Sequence, residues 1–220
     1  MASRRTLIVG DVHGCVDELK SLLRVAGFAR GDRLILAGDL VAKGPDSQGV
    51  VQLAREAGAE SVKGNHDAHV LGARVGKELK AHHAKVAKSL TENDWRFLEA
   101  MPLWIAAEEL ELLVVHAGLK PGVALEDQNP TDLFTMRSLD SAGNPTPRIE
   151  GGVPWVSKWV GPPYVVFGHD AVRGMQMTRW AIGLDTGCVY GRELTGVWLP
   201  ERRMVSVAAK KAWASVERGD

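Results

Sequence analysis

Short β-rich runs alternate with helix-period segments through the first third of the chain. Thr6 to Val9 is followed by Val16, Leu19, Leu22, Leu23 and Ala26 at helical spacing, then by Leu34 to Ala37, then by Val50, Val51, Ala54 and Ala57. This pattern predicts a βαβαβ arrangement with parallel strands and helical crossovers. From Asp67 to about Met101 the spacing is helical with a Lys-rich polar face. A second helix start stands at Thr91-Glu92-Asn93-Asp94, whose Thr-x-x-acid form is that of a capping box. That stretch reads as a helical insertion.

The character changes after Pro102. Leu103 to Ala107 and Leu112 to Val115 flank Glu108 to Glu111 as the arms of a β-hairpin. Between Lys120 and Pro154, Pro121, Pro130, Pro145, Pro147, Pro154, Gly143, Gly151 and Gly152 make an irregular excursion around one apolar piece, Leu133 to Leu139. Excursions of that length inside a compact domain are usually functional or mobile. Tyr164 to Phe167, Trp180 to Leu184, Leu194 to Leu199 and Met204 to Val207 predict closely spaced strands suited to an antiparallel second sheet. The last dozen or so residues read as a helix or a frayed tail. Residues 1–220 therefore read as one domain, with insertions at about 67–101 and 120–154.

Composition narrows the partners. The chain has 220 residues, 45% of them hydrophobic and 25% charged, enough for a substantial core. Twenty-seven basic residues balance 27 acidic ones, so neither a nucleic-acid nor an anionic-membrane partner is expected. Two cysteines, Cys15 and Cys188, make no disulfide framework, and a cytoplasmic location is expected. The first apolar run stops at Asp11, too short for a signal peptide, and no run approaches the roughly 18 residues of a membrane span.

Chemistry gathers where the apolar runs end. Asp11 and His13 follow the first, Asp39 the second, Asn65 and His66 the third, and His116 and His169 follow two later runs. Strand carboxyl ends in an open α/β sheet converge on one edge, and the neighbouring glycines let the backbone turn there. Taken singly, Asp-Gly or Asn-His after a strand is ordinary turn chemistry, and a lone histidine is more often structural. Taken together, carboxylate, amide and imidazole groups suit Mn²⁺, Fe or Zn²⁺, and no Cys-x-x-Cys pair exists for a thiolate site.

Gly10-Asp11-Val12-His13-Gly14, Gly38-Asp39-Leu40-Val41-Ala42-Lys43-Gly44, Gly64-Asn65-His66-Asp67, His116-Ala117-Gly118 and Gly168-His169 resemble, in order, the motifs of calcineurin-like metallophosphoesterases of the phosphoprotein phosphatase superfamily. Leu184-Asp185-Thr186-Gly187-Cys188-Val189-Tyr190-Gly191 resembles a segment of the symmetrical diadenosine tetraphosphate hydrolase-like branch. The resemblance implies a two-sheet β-sandwich flanked by helices, a four-layer α/β/β/α fold. It implies one metal on Asp11, His13 and Asp39 and a second on Asp39, Asn65, His116 and His169. The two divalent ions are expected to be Mn, with Fe, Zn, Co or Mg as alternatives. A bridging water, acidified by the surplus positive charge, would attack phosphorus in line.

By the same resemblance His66 is the general acid, with Asp67 either orienting it or serving as a first-turn acid of the next helix. Lys43 fills a slot where much of the superfamily carries Arg, Ala42 replaces an acid common in protein phosphatases, and Arg137 is a phosphate-binding group of the cap. The implied reaction is hydrolysis of diadenosine tetraphosphate to two ADP. Alternatives are a phosphoprotein phosphatase acting on Ser, Thr or Tyr phosphates, and a catalytically dead scaffold that uses the fold to bind a protein partner. Of the remaining residues, Trp155 and Trp159 read as core packing, His82 and His83 as solvated, Cys15 as a buried filler, and Asp185 as either a histidine partner or a turn residue. His69 is given no role, and the oligomeric state is left open.

Overall fold

The structure is a computed structural model that describes residues 5–215. Its first half runs β1 (Thr6–Val9), α1 (Val16–Ala26), β2 (Arg33–Leu36), α2 (Ser47–Glu56) and β3 (Glu60–Ser61), in the order the hydrophobic pattern predicts. The helical stretch that follows is α3 (Asn65–Leu71), α4 (Ala81–Ser89) and α5 (Glu92–Ala100). The capping box at α5 forms as read: Thr91 Oγ1 accepts from the Asp94 N–H at 3.4 Å and Asp94 Oδ2 accepts from the Thr91 N–H at 2.9 Å.

Next come β4 (Trp104–Ala107) and β5 (Leu112–Val115), which pair as the expected antiparallel hairpin. The Pro- and Gly-rich excursion holds α6 (Pro130–Thr135), β6 (Ser138–Leu139), β7 (Pro145–Thr146) and β8 (Val153–Pro154), the last three forming a small antiparallel sheet. The chain closes with β9 (Tyr164–Phe167), β10 (Gln176–Met177), β11 (Ala181–Gly183), β12 (Glu193–Leu199) and β13 (Arg203–Ala208). Residues 209–215 form no helix, and the remainder of the expected helix or tail, 216–220, lies outside the described residues.

Two five-stranded sheets dominate, with orders β13-β12-β1-β2-β3 and β10-β11-β9-β5-β4. The antiparallel second sheet read from the sequence is corrected in two respects. β5, β9 and β11 run parallel to one another, and β12 and β13 return to the first sheet, where β12 lies antiparallel to β1. Beyond its first residue β12 is buried on both faces. Leu194 and Trp198 join the core beneath the helices while Val197 and Leu199 join the core between the sheets. Beside β1 the strand meets both of these cores, and the Trp198 indole N–H donates to the Ala26 carbonyl at the end of α1.

Alternation along the strands builds the layers. Leu7, Val9, Leu34 and Leu36 point to α1, α2 and α5, whereas Ile8 and Ile35 meet Val114, Val166 and Ile182 of the opposite sheet. On the outer face of the second sheet, Leu113, Val115, Val165 and Phe167 pack under Leu133, Met136, Trp155 and Val156. Trp155 sits in a 3₁₀ turn (Trp155–Lys158), fully buried, with Trp159 at its edge, so both pack in the core. The four-layer α/β/β/α arrangement follows from these three cores. Ile35 is 0% exposed at the centre of the sandwich, so Ile35→Ala is expected to lower unfolding free energy by about 2–5 kcal/mol in urea titration.

Candidate functional site

The loops leaving β1, β2, β3, β5 and β9 meet at one edge of the two sheets. There they line a cavity of about 500 Å³ whose wall includes Asp11, His13, Asp39, Asn65, His66 and His169. The backbone is strained where these side chains turn inward. Of the seven non-glycine residues with positive φ among the described residues, His13, Asp39, Ala42, Lys43 and His169 belong to these loops. Two glycines admit the carboxylates: a Cβ on Gly64 would collide with the Asp39 carboxylate and one on Gly168 with that of Asp11. The small residues at the strand ends thus allow acidic groups to be buried against backbone.

Asp39 is the centre of the cluster. Its Oδ1 accepts from the His66 backbone N–H at 2.9 Å, and its Oδ2 lies 3.5 Å from His13 Nε2 and 3.6 Å from His116 Nε2. Each imidazole is anchored through its other nitrogen: His13 Nδ1 to the Val41 carbonyl, His116 Nδ1 to the Ala37 carbonyl, His169 Nε2 to the Thr135 carbonyl. A carbonyl only accepts, so the anchored nitrogen carries the proton and the other presents a lone pair. Burial holds all three rings below their ordinary range, hence neutral.

These lone pairs face acceptors. His116 Nε2 points at Asn65 Oδ1 from 3.1 Å, and Asp11 Oδ2 is buried with no hydrogen-bond partner among the described residues, its other oxygen accepting the His169 N–H. Burial, together with Asp185 and Asp39, raises the Asp11 carboxyl well above its usual range. Asp67 is pushed up to about 7 by burial and Asp39, and Asp185 to about 6, mainly by burial. Crowded carboxylates and inward lone pairs, with an orphaned buried oxygen among them, are what a pair of cations would neutralise. The residues present therefore fit a metal centre.

Around that centre the remaining expectations divide. Lys43 and Arg137 both reach the cavity wall, Lys43 donating to the Tyr190 hydroxyl and Arg137 lying between the Pro147 and His169 carbonyls. Asp67 does not orient His66. Its carboxylate accepts the backbone N–H groups of Gly64, Leu40 and Val41, so it braces the first turn of α3 against the loop after β2. Asp185 accepts the Gly187 N–H, a turn contact, and Cys15 is a buried filler.

His82 is exposed as expected, but His83 is buried, with Nε2 at 2.9 Å from His66 Nδ1. The reading of His83 as solvated is thereby corrected. The signal lay in the spacing of His83, Val86, Ala87 and Leu90, whose i, i+3, i+4, i+7 positions mark the inward stripe of α4. His69, Lys80 and Tyr190 also line the cavity and had no assigned role.

A two-sheet sandwich with carboxylate, amide and imidazole groups gathered at one strand-end edge defines a metal-dependent phosphoester hydrolase. The chain belongs to the calcineurin-like phosphoesterase family, whose model matches residues 4–203. Members of that family use divalent metal ions in a dinuclear site. A Bacillus subtilis (strain 168) protein named bis(5'-nucleosyl)-tetraphosphatase PrpE, asymmetrical, is 30% identical over 230 residues, covering 91% of this chain and 93% of its own. A Yersinia enterocolitica protein named bis(5'-nucleosyl)-tetraphosphatase, symmetrical, is 28% identical over 278 residues, covering 98% and 95%. A crystal structure described as a "putative diadenosine tetraphosphatase" superposes with a TM-score of 0.88 at 41% identity, covering 94% of this chain and 95% of that one. A protein serine/threonine phosphatase from Saccharomyces cerevisiae, at 17% identity and a TM-score of 0.58 over 99% of this chain and 82% of its own, shares the fold alone.

The electrostatics give a two-sided expectation for Asp39→Asn. Without metal the variant is at least as stable as the parent, because carboxylate repulsion is relieved. Mn²⁺ at about a hundredfold its Kd adds about 2.7 kcal/mol to the parent and little to the variant, read as thermal shifts with and without chelator.

Proposed function

We propose that the chain hydrolyses the polyphosphate bridge of a dinucleoside tetraphosphate, diadenosine tetraphosphate in the first instance, giving two ADP. The observation that carries the metal-dependent hydrolysis is the Asp39 carboxylate flanked at 3.5 and 3.6 Å by the ring nitrogens Nε2 of His13 and His116, and the dinucleoside substrate follows the relatives named bis(5'-nucleosyl)-tetraphosphatases. On it, Asp11, His13 and Asp39 hold one divalent ion, Asp39, Asn65, His116 and His169 hold the second, and Asp39 is shared. Manganese is the proposed pair, with Fe, Zn, Co or Mg as alternatives. When bound, the ions supply Lewis acidity and positive charge that ready a water and draw the phosphate.

The chain's own groups bind, orient and move protons. Lys43 and Arg137 offer positive charge to the phosphoryl oxygens from two sides of the cavity. His66 has Nδ1 engaged by His83, so Nε2 is the atom left to give its proton to the leaving phosphate oxygen. Burial, His13 and Lys43 hold that ring well below its ordinary range in the substrate-free chain. The several negative charges of a polyphosphate beside it favour the protonated form. Asp67 keeps the start of α3, and so His66, in register with Asp39. A single domain and a cytoplasmic setting complete the proposal; no described helix is long and apolar enough to cross a membrane.

The relatives named asymmetrical favour a second reading of the cut, in which ATP and AMP are released. A time course of Mn²⁺-loaded enzyme on diadenosine tetraphosphate, beside phosphoserine and phosphotyrosine peptides, separates the outcomes. ADP as sole nucleotide product, faster than peptide dephosphorylation, is expected. ATP plus AMP would move the cut, and intact dinucleotide with rapid phosphate release from peptides would overturn the substrate. His66→Asn is expected to lower kcat by about 10²–10⁴-fold with bound metal retained.

A further inference from the structure

Among the described residues the ring of His66 meets no carboxylate. Asp67, the adjacent acid, is committed to three backbone N–H groups, and position 42, in the loop facing α3, carries only the methyl of a buried alanine. The contact that His66 does make is to an imidazole from a different helix, Nδ1 to His83 Nε2 at 2.9 Å, with both rings buried. We propose that His83 is a positioning residue for the reaction: its Nε2 accepts the Nδ1–H of His66, fixing the ring and leaving Nε2 of His66 as the nitrogen that gives up and regains the proton.

This inference rests on His66 acting as the general acid. Proton transfer from an imidazole alternates one nitrogen between N–H and lone pair while the other stays protonated, and an acceptor on that second nitrogen selects both tautomer and orientation. His83 can serve as that acceptor when its own proton is on Nδ1. It is held for the task by sequence and packing. His83 opens the inward stripe of α4 that continues through Val86, Ala87 and Leu90 into the helix-side core. The rings of His69 and His82 lie against it with centroids 5.3 and 4.0 Å away, which restricts its rotation.

A cation shared by His66, His82 and His83 is the competing use of the same side chains, since one ligand atom from each lies within 4.8 Å of the others. The 2.9 Å contact is a hydrogen-bond length, whereas two nitrogens on one tetrahedral zinc stand about 3.3 Å apart. The hydrogen bond is therefore the better description.

The test is a double-mutant cycle on the Mn²⁺-loaded enzyme with diadenosine tetraphosphate, using His83→Leu, His83→Gln, His66→Asn and the double variant His66→Asn/His83→Leu. Leucine continues the apolar stripe of α4, and glutamine returns an acceptor near the position of the imidazole Nε2. His83→Leu is expected to lower kcat about tenfold to a hundredfold with KM within about twofold, as for a misaligned catalytic group. His83→Gln should recover much of that loss, and His83→Leu should cost nothing further beside His66→Asn. Metal per chain should match the parent throughout. Independently of turnover, imidazole nitrogen chemical shifts of His66 should report Nδ1 protonated in the parent and that preference lost in His83→Leu.

If His66→Asn collapses kcat while His83→Leu leaves it unchanged, or if the two losses multiply, the positioning role falls and the general acid stands. If His66→Asn keeps the parent kcat, both fall. Loss of bound metal in His83→Leu and His83→Gln alike would also overturn the proposal in favour of a structural role.

Discussion

Burying a carboxylate is the constraint on which the rest of this molecule turns. Asp39 sits in the loop just after β2, shielded from water, with Asp11, Asp67 and Asp185 buried around it. An isolated ion in such a place is untenable, so every neighbouring element supplies a compensating group. The His66 N–H at the start of α3 reaches one Asp39 oxygen, and the His169 N–H reaches Asp11. Three backbone N–H groups satisfy Asp67. What the protein does not satisfy internally faces the cavity, together with the lone pairs of three neutral imidazoles, which is the signature of a site built for cations.

The fold exists in a form that makes this burial tolerable. Parallel strands β1, β2 and β3 deliver their carboxyl ends to one edge, and β5 and β9 of the opposite sheet deliver theirs to the same edge. The core between the sheets is built on Ile8, Ile35, Val114, Val166 and Ile182, and the buried acidic groups Asp11 and Asp39 lie at the rim, where glycines permit close approach. The two excursions then close the cavity. The helical one brings His69, Lys80, His82 and His83, and the Pro-rich one brings Thr135, Arg137 and Pro147.

Much of this was legible in the chain. Thr6–Val9, Val16–Ala26 and Leu112–Val115 form as their periodicity reads, because local spacing and burial agree there. The cluster of Asp11, His13, Asp39, Asn65, His66, His116 and His169 was legible because strand ends converge whatever the details of the sheets. Strand partnership was not legible for β12 and β13, since an apolar run does not say which sheet will cover its two faces. Asp67 could be read as orienting His66 or opening a helix, and only the backbone geometry decides. His83 was misread because a Lys-rich helix draws attention to its charged face. Its position on the four-residue inward stripe held the information.

The central claim is that these strand-end side chains form a two-cation centre shared across Asp39. The most direct measurement is an anomalous-scattering crystal structure of the Mn²⁺-loaded protein. Two peaks are expected beside Asp39, one bounded by Asp11 and His13 and the other by Asn65, His116 and His169. A single peak, or manganese seated away from Asp39, would contradict that claim.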